Sequence, residues 1–182
     1  LPGRWQACWK TGTDVSYQSG ASLMVPATFT LDYQPTVSFW GVTRGAGSAN
    51  LFDVYGTLVL GGLEVTAEAA PAGAVLPVGG AVRVRPGGVL TATGTVFRGC
   101  VAAASGGGAV YSEGAATFLG AFFRGNRAAT YGGAVWSDGA AAALVVSGGG
   151  FVNNTATWGA AVASRGTSAE LTAVAFDSQV TA

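Results

Sequence analysis

Chemistry in this 182-residue chain must come from few side chains, because it carries nine acidic residues, nine basic ones and no histidine. Lacking His removes the commonest general base and the commonest metal ligand together. The carboxylates are dispersed, except that Glu113 and Asp138 occupy equivalent places in the repeat described below, in a column with Arg85 and Arg165. Two carboxylates so close could raise one pKa, form an acid/base pair or bind a cation. The plainer expectation is solvated turn residues flanked by arginine, so no catalytic residue, metal or cofactor is assigned. Large rings are the sharper feature. Tyr111 and Trp136 each follow a valine expected to face inward, and Tyr131 and Trp158 stand just ahead of glycine turns. Aromatic faces stack on sugars and anchor protein interfaces, so these four residues are the expected contact surface for a glycan or a neighbouring domain. Packing under local loops is the alternative.

Two smaller signals remain. Asn153-Asn154-Thr155 makes Asn153 a glycosylation acceptor, a pattern with meaning only on a secreted chain. Cys8 and Cys100 lack the CxxC spacing of a zinc or redox site. They could join as a disulfide or stay as two thiols.

Composition narrows the partners. Charged residues are 10% of the chain and apolar residues 49%, which excludes the polar, highly charged make-up of a disordered segment. A single Lys with scattered Arg cannot build the basic patch that nucleic acid requires. The longest apolar run, around Ala140 to Val146, is far short of the ~18–20 residues that span a bilayer. Neither nucleic acid nor membrane insertion is expected.

The elements that position these residues come from a repeat. Gly80-Ala81-Val82, Gly108-Ala109-Val110, Gly133-Ala134-Val135 and Ala160-Ala161-Val162 recur every ~25–28 residues. A second anchor keeps step: Phe97 to Cys100, Phe123 to Asn126, Phe151 to Asn154 and Phe176 to Gln179. Glycine interrupts each repeat, and short β-branched or aromatic runs lie between the interruptions, which favours strands over helices. The segment Ala81-Val82-Arg83-Val84-Arg85 alternates apolar with Arg, as a half-buried strand does. The expected fold is all-β: a right-handed, single-stranded parallel β-helix of about six coils, with equivalent strands ~4.8 Å apart.

In that fold, identical positions lie above one another. Phe97, Phe123, Phe151 and Phe176 should form an internal ring column, and Val82, Val110, Val135 and Val162 an aliphatic one. Cys100, Asn126, Asn154 and Gln179 fall at a turn, where stacked amides can bond along the axis and satisfy backbone groups. Cys100 is expected to break that ladder at one end.

Gly-Gly-Ala-hydrophobic alternating with Phe-x-x-Asn resembles the repeats of chlamydial polymorphic outer-membrane proteins and related surface proteins of the pectin-lyase-like fold. The motifs cover residues 79–182. The resemblance implies an extracellular or cell-surface role. Polysaccharide lyases and hydrolases share this fold, but the His-Gly, Arg-x-Lys and Asp clusters that mark them are not matched here.

Upstream, residues 51–65 alternate like a further coil, and Thr28 to Leu31 and Val37 to Trp40 are earlier strand candidates. Residues 66–79 read as an inserted loop, and residues 1–19, with Trp5 and Trp9, as an N-terminal cap or linker before a β-helix over 20–182. Leu1 in place of Met, and a C-terminus without a visible cap, suggest a fragment of a longer chain. The functional expectation is a non-enzymatic structural or adhesive β-helix, a fibre-forming or cell-surface glycoprotein subunit, that meets copies of itself, neighbouring domains or glycans. A carbohydrate-binding module is the alternative, and a polysaccharide lyase or hydrolase the weaker one.

Overall fold

The computed structural model describes residues 50–67 and 78–181, and the backbone of strands Val15–Tyr17, Leu23–Val25, Thr28–Asp32 and Gly41–Arg44. The described residues are all-β, with parallel strands wound into a β-solenoid. Each turn lays down three strands and a short fourth. The first face stacks Phe52–Val54, Val82–Val84, Val110–Ser112 and the opening parts of Val135–Ser147 and Val162–Thr172. The second stacks Thr57–Gly61, Val89–Thr93, Ala115–Leu119 and the closing parts of the same two long strands. The third carries Glu64–Ala67, Val96–Arg98, Phe122–Arg124, Gly150–Val152 and Ala175–Asp177. A short ladder closes the coil: Val101–Ala102, Arg127–Ala128, Thr155–Ala156 and Val180–Thr181.

Val15–Tyr17 pairs with Gly41–Arg44 at the start of the third sheet, inside the segment read as a cap. Thr66 and Ala67 end a strand rather than begin a loop. Residues 68–77 of the inserted segment, like Val37 to Trp40, Trp5, Trp9 and Cys8, lie outside the described residues.

Strand alternation fills the interior. Leu58 and Leu60, Leu90 and Ala92, Ala116 and Phe118, and Leu144 and Val146 point inward from the second face and are buried, while their neighbours face out. Phe97, Phe123, Phe151 and Phe176 stack with centroids 5.0, 4.7 and 5.2 Å apart and planes within 8° of parallel. Phe118 meets Phe97 and Phe123 edge-on, at 6.0 and 5.0 Å. Such ring pairs add about 0.5–1.5 kcal/mol beyond the area they bury.

The amide ladder runs beside the rings. Asn126 Oδ1 accepts from the Cys100 N–H at 3.0 Å, and Asn126 Nδ2 donates to the Phe97 carbonyl at 3.1 Å. Asn154 repeats the pattern, accepting from the Asn126 N–H and donating to the Phe123 carbonyl, both at 3.0 Å. Gln179 does the same for Asn154 and Phe151. The side chains also join directly, Asn126 Nδ2 donating to Asn154 Oδ1 at 2.9 Å. Cys100 does not simply break the ladder: its Sγ lies 3.6 Å from the carbonyl of Val65, the residue registered with Phe97. A thiol is a weak donor, but it occupies the slot an amide nitrogen fills in later coils.

Glycine pairs close each coil before the first face. Gly79, Gly107, Gly132 and Gly159 take positive φ of 57–79°, open to glycine without a Cβ penalty. The residue after each meets a different constraint. A Cβ on Gly80, Gly108 or Gly133 would fall 1.9–2.0 Å from the carbonyl oxygen of its counterpart one coil on. Close approach of stacked backbones therefore selects glycine there, and Ala160 holds the fourth position.

Asn126 is fully buried, and truncating it removes the side-chain acceptor of the Cys100 N–H and one donor to the Phe97 carbonyl. An unsatisfied buried group costs about 1–3 kcal/mol, so Asn126→Ala should lower the unfolding free energy by roughly 3 kcal/mol. Urea unfolding checks this, and a loss under about 1 kcal/mol would contradict the ladder's role.

Candidate functional site

The first face places two outward columns side by side. In one, register runs from Asp53 to Arg83, Tyr111, Trp136 and Ala163. Two residues further along each strand come Tyr55, Arg85, Glu113, Asp138 and Arg165. Stacked strands bring side chains within reach of their counterparts, and opposite charges meet. Arg85 holds Asp53 with two bonds of 2.7 and 2.8 Å. Arg83 holds Glu113 at 3.0 Å, and Arg165 holds Asp138 at 2.8 and 2.9 Å. On the third face Arg98 pairs with Glu64.

The carboxylate column of the sequence reading thus resolves differently. Glu113 and Asp138 each have a guanidinium of their own, and Glu113 takes Arg83 rather than Arg85. Both are partly covered rather than freely solvated. Hydrogen bonding to Asp53 raises the Arg85 pKa, and hydrogen bonding to Asp138 raises that of Arg165. Among the described residues no group of three or more His, Cys, Asp or Glu gathers to hold a metal, and no helix is long and apolar enough to cross a membrane.

The rings form one strip. Tyr111 and Trp136 lie 4.9 Å apart at 53°, and Tyr131 and Trp136 5.1 Å apart at 32°. The Arg83 guanidinium sits 5.7 Å from the centre of the Tyr111 ring, and Arg85 5.3 Å from that of Tyr55. Gly106 makes the strip possible, because a Cβ there would lie 2.3 Å from Cε3 of Trp136. The indole covers this bare stretch of backbone between Tyr111 and Tyr131. Tyr131 bridges to Trp158 in the next coil.

Exposure divides the four rings. Tyr111 points away from the coil interior, as strand alternation requires, but is only 7% exposed because neighbouring groups cover it. The expectation that it offers an outward contact ring is corrected. Trp136 is half-buried, whereas Tyr131 and Trp158 are 40% and 62% exposed. Of the four rings, Tyr131 and Trp158 therefore offer the most open surface, with Trp136 partly covered.

Asn153 lies at an outer corner and is exposed, while Cys100 is buried at the head of the amide ladder. Its pairing with Cys8 falls outside the described residues. Sequence reasoning missed Arg83, Tyr55, the Asp53–Arg85 and Glu64–Arg98 pairs, and Asn50, whose Nδ2 donates to the Val78 and Gly79 carbonyls. The available signal for the ion pairs was a separation of about one coil, offset by two residues from direct register. Arg83 precedes Glu113 by 30 residues, about one coil.

No protein-family model, curated protein or solved structure matches the chain. The fold class thus rests on the strand register itself, which defines a parallel β-solenoid.

Two outcomes follow from the strip. Burial pushes the Tyr111 phenol from 10.0 up to about 12, with Glu113 and Asp138 adding to the shift. A phenol raised in this way stabilises the fold fully below its unfolded value. That contribution is lost as pH climbs from about 10 towards 12, since the unfolded chain gives up its proton first. The melting temperature of Tyr111→Phe should therefore fall less steeply than the parent's over that range, and equal slopes would rule the effect out. Trp136→Ala should cost about 2–3 kcal/mol in thermal unfolding, while Trp158→Ala should stay within about 0.5 kcal/mol.

Proposed function

We propose that the chain is a non-enzymatic structural or adhesive β-helix working outside the cell or at its surface, right-handed and of the pectin-lyase-like kind. The observation that carries the reading is the pair of exposed rings on adjacent coils, Tyr131 and Trp158, beside charges that are already paired. A face so arranged recognises neutral, ring-shaped or apolar surface rather than phosphate or strong charge. The Gly-Gly-Ala and Phe-x-x-Asn repeats support the surface location by resemblance. Self-association, or contact with neighbouring domains of a larger protein, is the first expected use of the strip.

The second reading, a carbohydrate-binding module, is favoured by the same two rings, since successive sugars can stack on successive coils. One experiment separates the two. The folded chain is tested against immobilised neutral oligosaccharides and, by sedimentation, against itself. Trp158→Ala should weaken whichever contact is found about tenfold, or roughly 1.4 kcal/mol. Binding that ignores Trp158 and Tyr131, or absence of both contacts up to about 1 mM, removes the strip from the account. Surface labelling of source cells tests the location separately.

A further inference from the structure

Asn153 and Asn154 are neighbours that the corner treats in opposite ways. Asn154 is fully buried, and its amide is committed on both sides, to Phe123 and to the Asn126 main and side chains. Asn153 faces solvent, and its side-chain amide bonds to nothing among the described residues. Its backbone is held in the left-handed region at φ 53°, with its N–H donating to the Asp177 carbonyl at 3.1 Å.

The column along the axis leaves room beside it. The equivalent residues are Gly99, Gly125 and Ser178, all at positive φ, and a Cβ on Gly99 or Gly125 would meet nothing within 4 Å. A large group on Asn153 would therefore project into open space without touching the amide ladder one residue away.

Backbone conformation alone explains an Asn here, since Asn tolerates the left-handed region better than most residues. It does not explain Thr155. The residues registered with Thr155 along the short ladder are Val101 through Arg127 on one side and Val180 on the other. A hydroxyl occurs only in the coil where an exposed Asn stands two residues earlier, with a non-proline between them.

We propose that Asn153 is an attachment site for an N-linked glycan, an inference that rests on the extracellular reading. The donor class is a lipid-linked diphospho-oligosaccharide. Asn153 Nδ2 attacks the anomeric carbon of the first sugar, and the bond from that carbon to the diphosphate oxygen breaks. The lipid diphosphate leaves with the bonding pair, and the amide releases one proton as the carbon–nitrogen bond forms. No oxidant or reductant takes part. Transfer precedes folding, and the corner then accepts the conjugated side chain because Asn153 has no packing role.

The test is translation into eukaryotic microsomes of the chain with a secretion signal and a C-terminal acceptor tag that reports translocation. The expected product carries two glycans, both removed by an amidase that cleaves the sugar–Asn bond. Asn153→Gln and Thr155→Ala should each leave only the tag modified, and Thr155→Ser should keep both. Modification of the tag alone in the parent chain overturns the proposal. So does a glycosylated chain that melts well below its deglycosylated form, since the corner would then not accommodate the sugar. These results bear on the site alone, whereas surface labelling of source cells bears on the location.

Discussion

A parallel coil stacks each residue on its own counterpart, about 4.8 Å away, and the rest of this structure answers that constraint. Like on like suits rings, aliphatic groups and amides, which gain from repetition. It penalises like charges. The interior therefore repeats, with valine over valine and phenylalanine over phenylalanine. The first face instead pairs opposite charges across coils, Asp53 with Arg85, Arg83 with Glu113 and Asp138 with Arg165, so that Glu113 and Asp138, neighbours in one column, each have an arginine. Each of these pairs ties one coil to the next.

Close stacking also decides where glycine is needed. Thirty glycines would be wasteful in a packed core, yet at Gly80, Gly108 and Gly133 any side chain would meet a neighbouring carbonyl. At Gly106 the missing side chain serves another purpose, making space for an indole on the outside. One residue type thus brings backbone close to backbone inside the wall, and ring close to backbone outside it.

Much of the fold was legible because, in a solenoid, sequence spacing is spatial contact. The Val, Phe and amide columns could be read directly from anchors one repeat apart. The site was less legible. Strand alternation correctly turned Tyr111 out of the interior, but its burial depends on Trp136 leaning over Gly106 and on Arg83 above it, and a column reading does not show that lean. Ion pairs were missed because some cross diagonally between columns, as Arg83 to Glu113 does. Corner length also varies: two residues, Glu113 and Gly114, separate the first and second faces in one coil, and residues 138–142 do so in the next. The longer corner stays extended, so the two faces merge into the single strand Val135–Ser147.

The amide ladder has a direction. Each Asn or Gln side chain completes the corner of the coil before it: Asn126 serves Cys100 and Phe97, Asn154 serves Asn126 and Phe123, and Gln179 serves Asn154 and Phe151. During synthesis the earlier coil leaves the ribosome first, with its corner groups still bonded to water. Arrival of the next coil dries and locks them. Each coil's corner is therefore completed only once the coil that follows it in sequence is in place.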